Sequence, residues 1–363
     1  MSQLTVCLII FALTIAGYCS GLYSLATIAL TSLTALTLTG CLEAKAAVGY
    51  FSNSNVIMIA GMCVVAAGFN RTRFCTSLAD TISRVSRGSL HKLMLGYVLI
   101  GVLLSQFIQS PVVVFGIVAP MLIASADAMG LNRSKVVFPV GVATICTCCT
   151  LPFGAGATSS AELNGYIESY GYTEHMVGFL DPMKARLPML VIAIVYFAFF
   201  ATRFSPDVSP VAAVDSGKKA KARESLKPFA EKAGIIIFFG DALALMFADK
   251  LNLTTWQVCL IGALLMVLCG VLKPKEATAA LPMSMLLLIV GALAMAGALS
   301  ATGAGDLIGG IIANVVQGLG GNSYLVGLIF FIIPFILTQI MSNRGTMMIF
   351  HPIAIATCAS IGG

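Results

Sequence analysis

The sequence predicts an all-α polytopic membrane protein with inverted-topology repeats, two re-entrant helical hairpins and broken helices. Three observations predict it. Of the 363 residues 58% are hydrophobic and 10% charged, with mean hydropathy +0.97, whereas about a quarter of the residues of a soluble domain are charged. Apolar stretches long enough to cross a bilayer recur along the whole chain. Finally, residues 104–120 (LSQFIQSPVVVFGIVAP) and 337–352 (LTQIMSNRGTMMIFHP) are versions of one segment. Each opens Leu-[Ser/Thr]-Gln, breaks an apolar run with polar or helix-incompatible residues, and reaches a proline ten residues after a serine (Ser110 to Pro120, Ser342 to Pro352). Polar breaks at corresponding places of two chain halves point to a transporter binding site.

The elements follow in order. Apolar spans are expected at 3–19, 21–39, 54–69, 93–108, 111–129, 136–151, 187–202, 233–248, 254–272, 281–300, 324–341 and 345–361. Residues 1–20 lack a basic n-region and run into a second apolar stretch, so they read as a first spanning helix and not as a signal peptide. Residues 71–92 combine helical spacing of apolar residues with five Lys/Arg, as in an interfacial amphipathic helix. Residues 203–232 hold Pro206, Pro210 and the run SGKKAKARESLK, and form a basic linker between halves. A shift of about 230 residues lays MIAGMCVVAAGF (58–69) on LIVGALAMAGAL (288–299), Gly61 on Gly291, and a slightly larger one lays EAKAA (43–47) on EATAA (276–280). The common order predicts an internal repeat.

Lysine and arginine placement sets the topology. Arg71, Arg73, Arg84, Arg87 and Lys92 put 71–92 inside; Lys218, Lys219, Lys221 and Arg223 put the linker inside. Arg133 and Lys135 also read as inside, so 93–129 enters and leaves on one face as a re-entrant hairpin. The acidic stretch 159–185 is then an outer loop, and the N-terminus lies outside. Counted through, the second copy runs opposite to the first, and its hairpin (324–361) enters from the outside. Two such hairpins meeting near the midplane suit alternating access. The net charge of +6 is an orientation signal in a few loops, which leaves no reason to expect a nucleic-acid partner.

A helix broken inside hydrocarbon persists only where protein, water or ligand satisfies its backbone groups. The tips therefore carry the chemistry: half-helix N–H groups attract anions, and unwound carbonyls or Ser, Asn and Gln oxygens hold small cations. A third break, residues 152–158 (PFGAGAT), should face the first tip. Cys146, Cys148 and Cys149 have no CxxC spacing and no neighbouring His or carboxylate, so small-residue packing is the expected role and no transition-metal site is expected.

The hairpin with a Ser-Asn tip at Ser342-Asn343, the proline ten residues on, the Gly/Thr-rich break and the repetition together resemble the divalent anion:sodium symporter family of the ion transporter superfamily. The resemblance covers most of the chain as architecture, through short motifs. Arg344 stands where the family has threonine, and Pro111 and Val112 stand where it has asparagine and threonine. The resemblance implies a citrate transporter-like permease for small anions, di- or tricarboxylates, coupled to sodium or protons, in the inner membrane as a homodimer. An arsenite or other oxyanion permease of the same superfamily is the second reading, and a truncated non-transporting membrane protein a third. Ser342, Asn343, Arg344, Ser110, Gln109 and Thr158 would bind substrate; Ser110, Gly154, Ala155, Gly156, Ser342 and Asn343 would hold sodium, the only metal implied, with no other cofactor. A scaffold of 1–92 and 233–321 would carry a mobile part of 93–202 (hairpin 93–129, broken helix 136–158) and 322–363, moving as an elevator. By this comparison the end of the second copy is expected to be missing after residue 363.

Further polar residues leave two readings each. Arg344 is a planar donor for carboxylate or a solvated tip residue. Asp241 pairs within a helix interface or carries a coupling proton. His351 makes a core hydrogen bond or titrates. Gln106 and Gln339 close hairpins or touch cations, and Asp306 caps a helix. Scattered histidines (His91, His175, His351) and the lack of HExxH or GxSxG argue against an enzyme.

Overall fold

The computed structural model describes residues 2–74, 77, 89–108, 111–129, 131–205, 226–318, 323–339 and 343–361. Among them there is no strand. The helices are α1 (Gln3–Ser20), α2 (Leu25–Leu38), α3 (Ala44–Gly49), α4 (Ser54–Phe69), α5 (Leu90–Phe107), α6 (Pro111–Ala128), α7 (Arg133–Thr147) and α8 (Thr158–Ser169). They continue with α9 (Asp181–Val195), a π turn Tyr196–Phe200, α10 (Ala201–Phe204), α11 (Pro228–Met246), α12 (Thr255–Leu268), α13 (Pro274–Ala280), α14 (Met283–Ala301), α15 (Ala304–Gly318), α16 (Ser323–Leu337) and α17 (Asn343–Ile361). Five helical stretches among the described residues are long and apolar enough to cross a membrane: Gln3–Ser20, Ala44–Phe69, Leu90–Phe107, Asp181–Phe204 and Met283–Ala301. Shorter apolar helices accompany them. The protein is an all-α integral membrane protein.

Each of the twelve expected apolar spans contains a helix among the described residues, and the larger differences lie in polar sequence. The stretch 159–185, expected as a loop, opens with helix α8 (Thr158–Ser169); its alternation of small, polar and apolar residues carries no hydropathy signal. Helix α11 starts at Pro228, inside the stretch 203–232 assigned to the linker, with proline at the first helical position. Asp306 sits in the first turn of α15 instead of at its cap, where its charge favours the helix N-terminus. The core of the expected amphipathic helix (78–88) and of the linker (206–225) lies outside the described residues.

Two helices of the second half repeat the bounds of two in the first. Helix α12 (255–268) is α2 (25–38) displaced by 230 positions, and α17 (343–361) follows α6 (111–128) at a shift of 232, with Pro120 and Pro352 both nine residues past the helix start. The ends match too. After α2 the chain turns at Gly40 (φ 73°) with Leu42 N–H donating to Leu36 O; after α12 it turns at Gly270 (φ 72°) with Leu272 N–H donating to Met266 O. Both are left-handed caps that glycine adopts without strain. At 14 residues, about 21 Å at 1.5 Å per residue, α2 and α12 are too short to cross a hydrocarbon core of about 30 Å upright.

The chain forms two compact units, each drawing on both halves: residues 1–60, 161–177 and 282–363, and residues 61–160 and 178–281. In the first, α14 is the central helix, buried continuously from Leu288 to Leu299 and packed on α2. A Cβ on Gly291 would stand 2.6 Å from the Ala29 carbonyl oxygen, so only glycine permits this approach. In the second, a Cβ on Gly61 of α4 would stand 2.8 Å from the Cys259 carbonyl of α12. Gly61 and Gly291, like Ala29 and Cys259, are 230 apart, so one backbone contact is made twice with the halves exchanged. Close packing through small residues replaces the hydrophobic drive that lipid does not supply.

Candidate functional site

The second unit contains the first hairpin and the break that follows it. Helix α5 ends at Phe107 and α6 begins at Pro111; Gln109 and Ser110, the expected tip contacts, lie outside the described residues. Helix α7 ends at Thr147 and the chain leaves helical geometry through Cys149 (φ 56°) into a 3-10 turn, Gly154–Ala157, before α8 begins at Thr158.

Gln106 holds this break in place. It is 1% exposed; its Oε1 accepts from Thr150 N–H (3.0 Å) and Leu151 N–H (2.9 Å), and its Nε2 donates to Thr147 O (2.9 Å) and Val102 O (2.7 Å). Cys149 N–H donates to Ser105 O (3.1 Å). One side chain thus satisfies the backbone groups that the lost helical turn leaves open, which burial in an apolar site requires. The break packs against the last turn of α5; the tip it was expected to face lies outside the described residues. Gln339, its counterpart by sequence, donates to Phe335 O on an exposed turn; among the described residues the bonds of Gln106 run to its own helix and to the break, and not to the other arm of the hairpin.

Phenylalanines wall this region. Phe69 stacks on Phe238 (centroids 4.1 Å apart), and Phe107 lies between Phe69 (5.2 Å), Phe238 (5.7 Å) and Phe153 of the break (5.9 Å). Their spacing in sequence gave no sign of the cluster. A Cβ on Gly156 would collide with the Leu151 carbonyl, so the tight turn needs glycine there. Thr158, first residue of α8, is buried. The side chain of Ala155 lies outside the described residues.

The second hairpin belongs to the first unit. Helix α17 starts at Asn343, which is exposed; Ser342 and the side chain of Arg344 lie outside the described residues, although Arg344 is in the first turn. The structure thus sets Asn343 and Arg344 at a helix start in one unit, and Gly154, Gly156 and Thr158 at a helix start in the other.

Two features were misread or unseen in the sequence. Glu162, assigned to an outer loop, is a buried residue of α8, and with Tyr166 it meets His351 of α17: His351 Nδ1 lies 3.9 Å from Glu162 Oε1, and the two rings meet edge to face at 5.5 Å. The spacing of Glu162 and Tyr166, one helical turn apart, was the available signal. Asp241 lines a groove of about 310 Å³ between α11 and α12, is 6% exposed, and its Oδ2 has no hydrogen-bond partner among the described residues, so the paired reading lacks its partner. Cys148 and Cys149 lie with sulfurs 3.3 Å apart, and among the described residues no three His, Cys, Asp or Glu gather as a metal group.

Comparison with known proteins agrees with this architecture. An uncharacterized transporter of Synechocystis sp. is 29% identical over 112 residues, a match taking in 31% of this chain and 17% of that protein's length. The profile of the citrate transporter family, CitMHS, matches residues 6–363, nearly the whole chain, and the chain therefore belongs to the citrate transporter family.

Proposed function

We propose that the protein is a secondary active transporter of small anions, di- or tricarboxylates of the citrate type, coupled to sodium or protons. The observation that carries this reading is the break at 148–157, pinned by Gln106 beside the first hairpin in a chain of the citrate transporter family. A structured, non-helical segment inside an apolar bundle persists where it lines a cavity or binds a ligand.

In this reading the first turn of α17, with Ser342, Asn343 and Arg344, receives substrate carboxylates. Backbone N–H groups at a helix start favour anions, and a guanidinium offers two parallel donors to a carboxylate. Ser110, Gln109 and Thr158 are further substrate contacts in this reading, and the carbonyls of Gly154, Ala155 and Gly156 hold the coupling cation. The family resemblance supports inverted repeats and an elevator movement of 93–202 and 322–363 against a dimeric scaffold. It also supports the inner membrane as location, and lysine and arginine placement supports an N-terminus outside and a cytoplasmic linker.

Proteoliposomes containing the protein should accumulate radiolabelled citrate or succinate in preference to sulfate when a sodium or pH gradient is imposed. Accumulation that depends on sodium supports the divalent anion:sodium symporter resemblance; accumulation under a pH gradient alone assigns the coupling to protons. Absence of uptake of all three anions under both gradients contradicts the reading.

A further inference from the structure

Asp241 is a buried acid of the second unit to which helix packing and substrate binding give no role. We propose that the groove it lines between α11 and α12 is a binding site for a cationic amphiphile. The ligand is a long-chain primary amine reaching the groove from the bilayer, with its ammonium on the Asp241 carboxylate and its hydrocarbon chain along the walls. The site shares no residue with the anion site proposed above and does not depend on it.

The acid is built in without a partner. Asp241 is 6% exposed, its Oδ2 is buried with no hydrogen-bond partner, and no Lys, Arg or His pairs with it among the described residues. It lies against Gly262 of α12, where a Cβ would collide with Asp241 Oδ1, and Val65 of α4 closes in beside them. The cations nearest in sequence are placed elsewhere. Lys232 is about 13 Å back along α11, and Lys250 lies past the end of the helix with its ammonium 5.5 Å from the Phe247 ring centre. A buried charge left alone is costly, so an acid held in this way in an apolar helix has function as its first reading.

The repeat supplies a control. The groove between α1 and α2 is the same groove 230 positions earlier: Thr14 stands for Ala244, Tyr23 for Leu253, Thr31 for Ile261 and Ala35 for Leu265. In that half the position of Asp241 is taken by Phe11, a buried ring, and that of Gly262 by Ser32. The fold therefore builds this helix pair without a carboxyl, and packing does not account for Asp241.

The walls decide which cation fits. Apart from the acid they are aliphatic or glycine, with Ile236, Ile237, Ala244, Val258, Ile261 and Leu265 among them. A hard metal ion gathers several oxygen ligands, and this groove offers one carboxyl group. A cation that carries its own hydrocarbon matches both parts of the site. Ile236, Ile261 and Leu265 are 70%, 47% and 41% exposed on apolar helices of a membrane protein, so the groove opens to lipid. Asp241 stands about 7–8 Å before the end of α11 at Met246, and the groove continues back along the helix to Ile236. An ammonium toward the membrane surface with its chain running inward follows that direction. Whether the proton starts on the acid or on the amine, the bound pair is carboxylate and ammonium with net charge zero.

The test uses the full chain in nanodiscs of phosphatidylcholine, a lipid without a primary amine. Its readout is the fluorescence of Trp256, the single tryptophan, which lies in the first turn of α12 beside Val258. The probes are a dodecylamine dibrominated at mid-chain and the alcohol with the same chain. In wild type the amine should quench saturably, at a concentration about tenfold or more below that the alcohol needs, because a charge-assisted hydrogen bond separates them. In D241N the amine should quench no better than the alcohol. In A244F, which fills the groove and keeps the acid, the amine should lose its advantage as well. Equal quenching by both probes in wild type overturns the proposal, and that arm needs no variant. An amine advantage that survives in folded D241N or A244F overturns it too. A carboxyl infrared band that D241N removes, together with equal quenching by both probes, assigns Asp241 to a proton alone and rules out the amine site.

Discussion

Gln106 shows how one side chain can create a break that composition alone only suggests. Its Oε1 accepts two backbone N–H groups, so Gln106→Leu leaves both unpaired in an apolar setting, at about 1–3 kcal/mol for each. Thermal unfolding in detergent should show Q106L as markedly destabilised; an unchanged midpoint would mean the break does not depend on this amide. Outside the spanning helices, Glu276 accepts from Lys273 N–H and pairs with Arg71, and these hold its carboxyl below the usual carboxylate range. A depressed folded-state value stabilises above the unfolded value and is lost as pH falls through the folded one. The stability gap between wild type and Glu276→Gln should therefore be present at neutral pH and close as pH is lowered below about 4; unfolding midpoints across that range check it. Of these residues the sequence made Gln106 visible through its place in the matched segments, but not the role: Gln339 matches it and, among the described residues, bonds its own helix turn.

At the scale of elements, hydropathy located the apolar helices because bilayer and helix geometry impose their length and composition. The same physics left α8 invisible. Its polar residues are matched by other helices of its unit, Glu168 by Asn53 and Asn55 and Glu162 by His351, and partners in tertiary structure leave no periodic trace. The repeated backbone contact was half legible: the shift of 230 paired Gly61 with Gly291, while their partners Cys259 and Ala29 needed the structure. Because the contact is made twice, Gly61→Leu and Gly291→Leu should each force helices apart and destabilise by about 1–3 kcal/mol or more. Unfolding measurements on both variants check this, and a neutral effect at either position would contradict the close approach.

For the whole molecule, the chain belongs to the citrate transporter family, and two helices of the second half repeat the bounds of two in the first. The grooves agree: one of about 420 Å³ between α1 and α2 is lined by Tyr23, Ile28 and Ser32, and the groove between α11 and α12 by Leu253, Val258 and Gly262, at the same shift of 230. Topology is a separate expectation. Alkaline phosphatase fused after residue 215 should be inactive and fused after residue 175 active; the opposite pattern would reverse the proposed orientation. The two tips differ in sequence, the first reading Ser-Pro-Val and the second Ser-Asn-Arg. The most direct measurement is gradient-driven citrate uptake by proteoliposomes carrying wild type or the double variant Ser342→Ala with Asn343→Ala. The account predicts uptake by wild type and its loss in the double variant with the protein still folded; retained uptake would contradict the placement of the anion at the second tip.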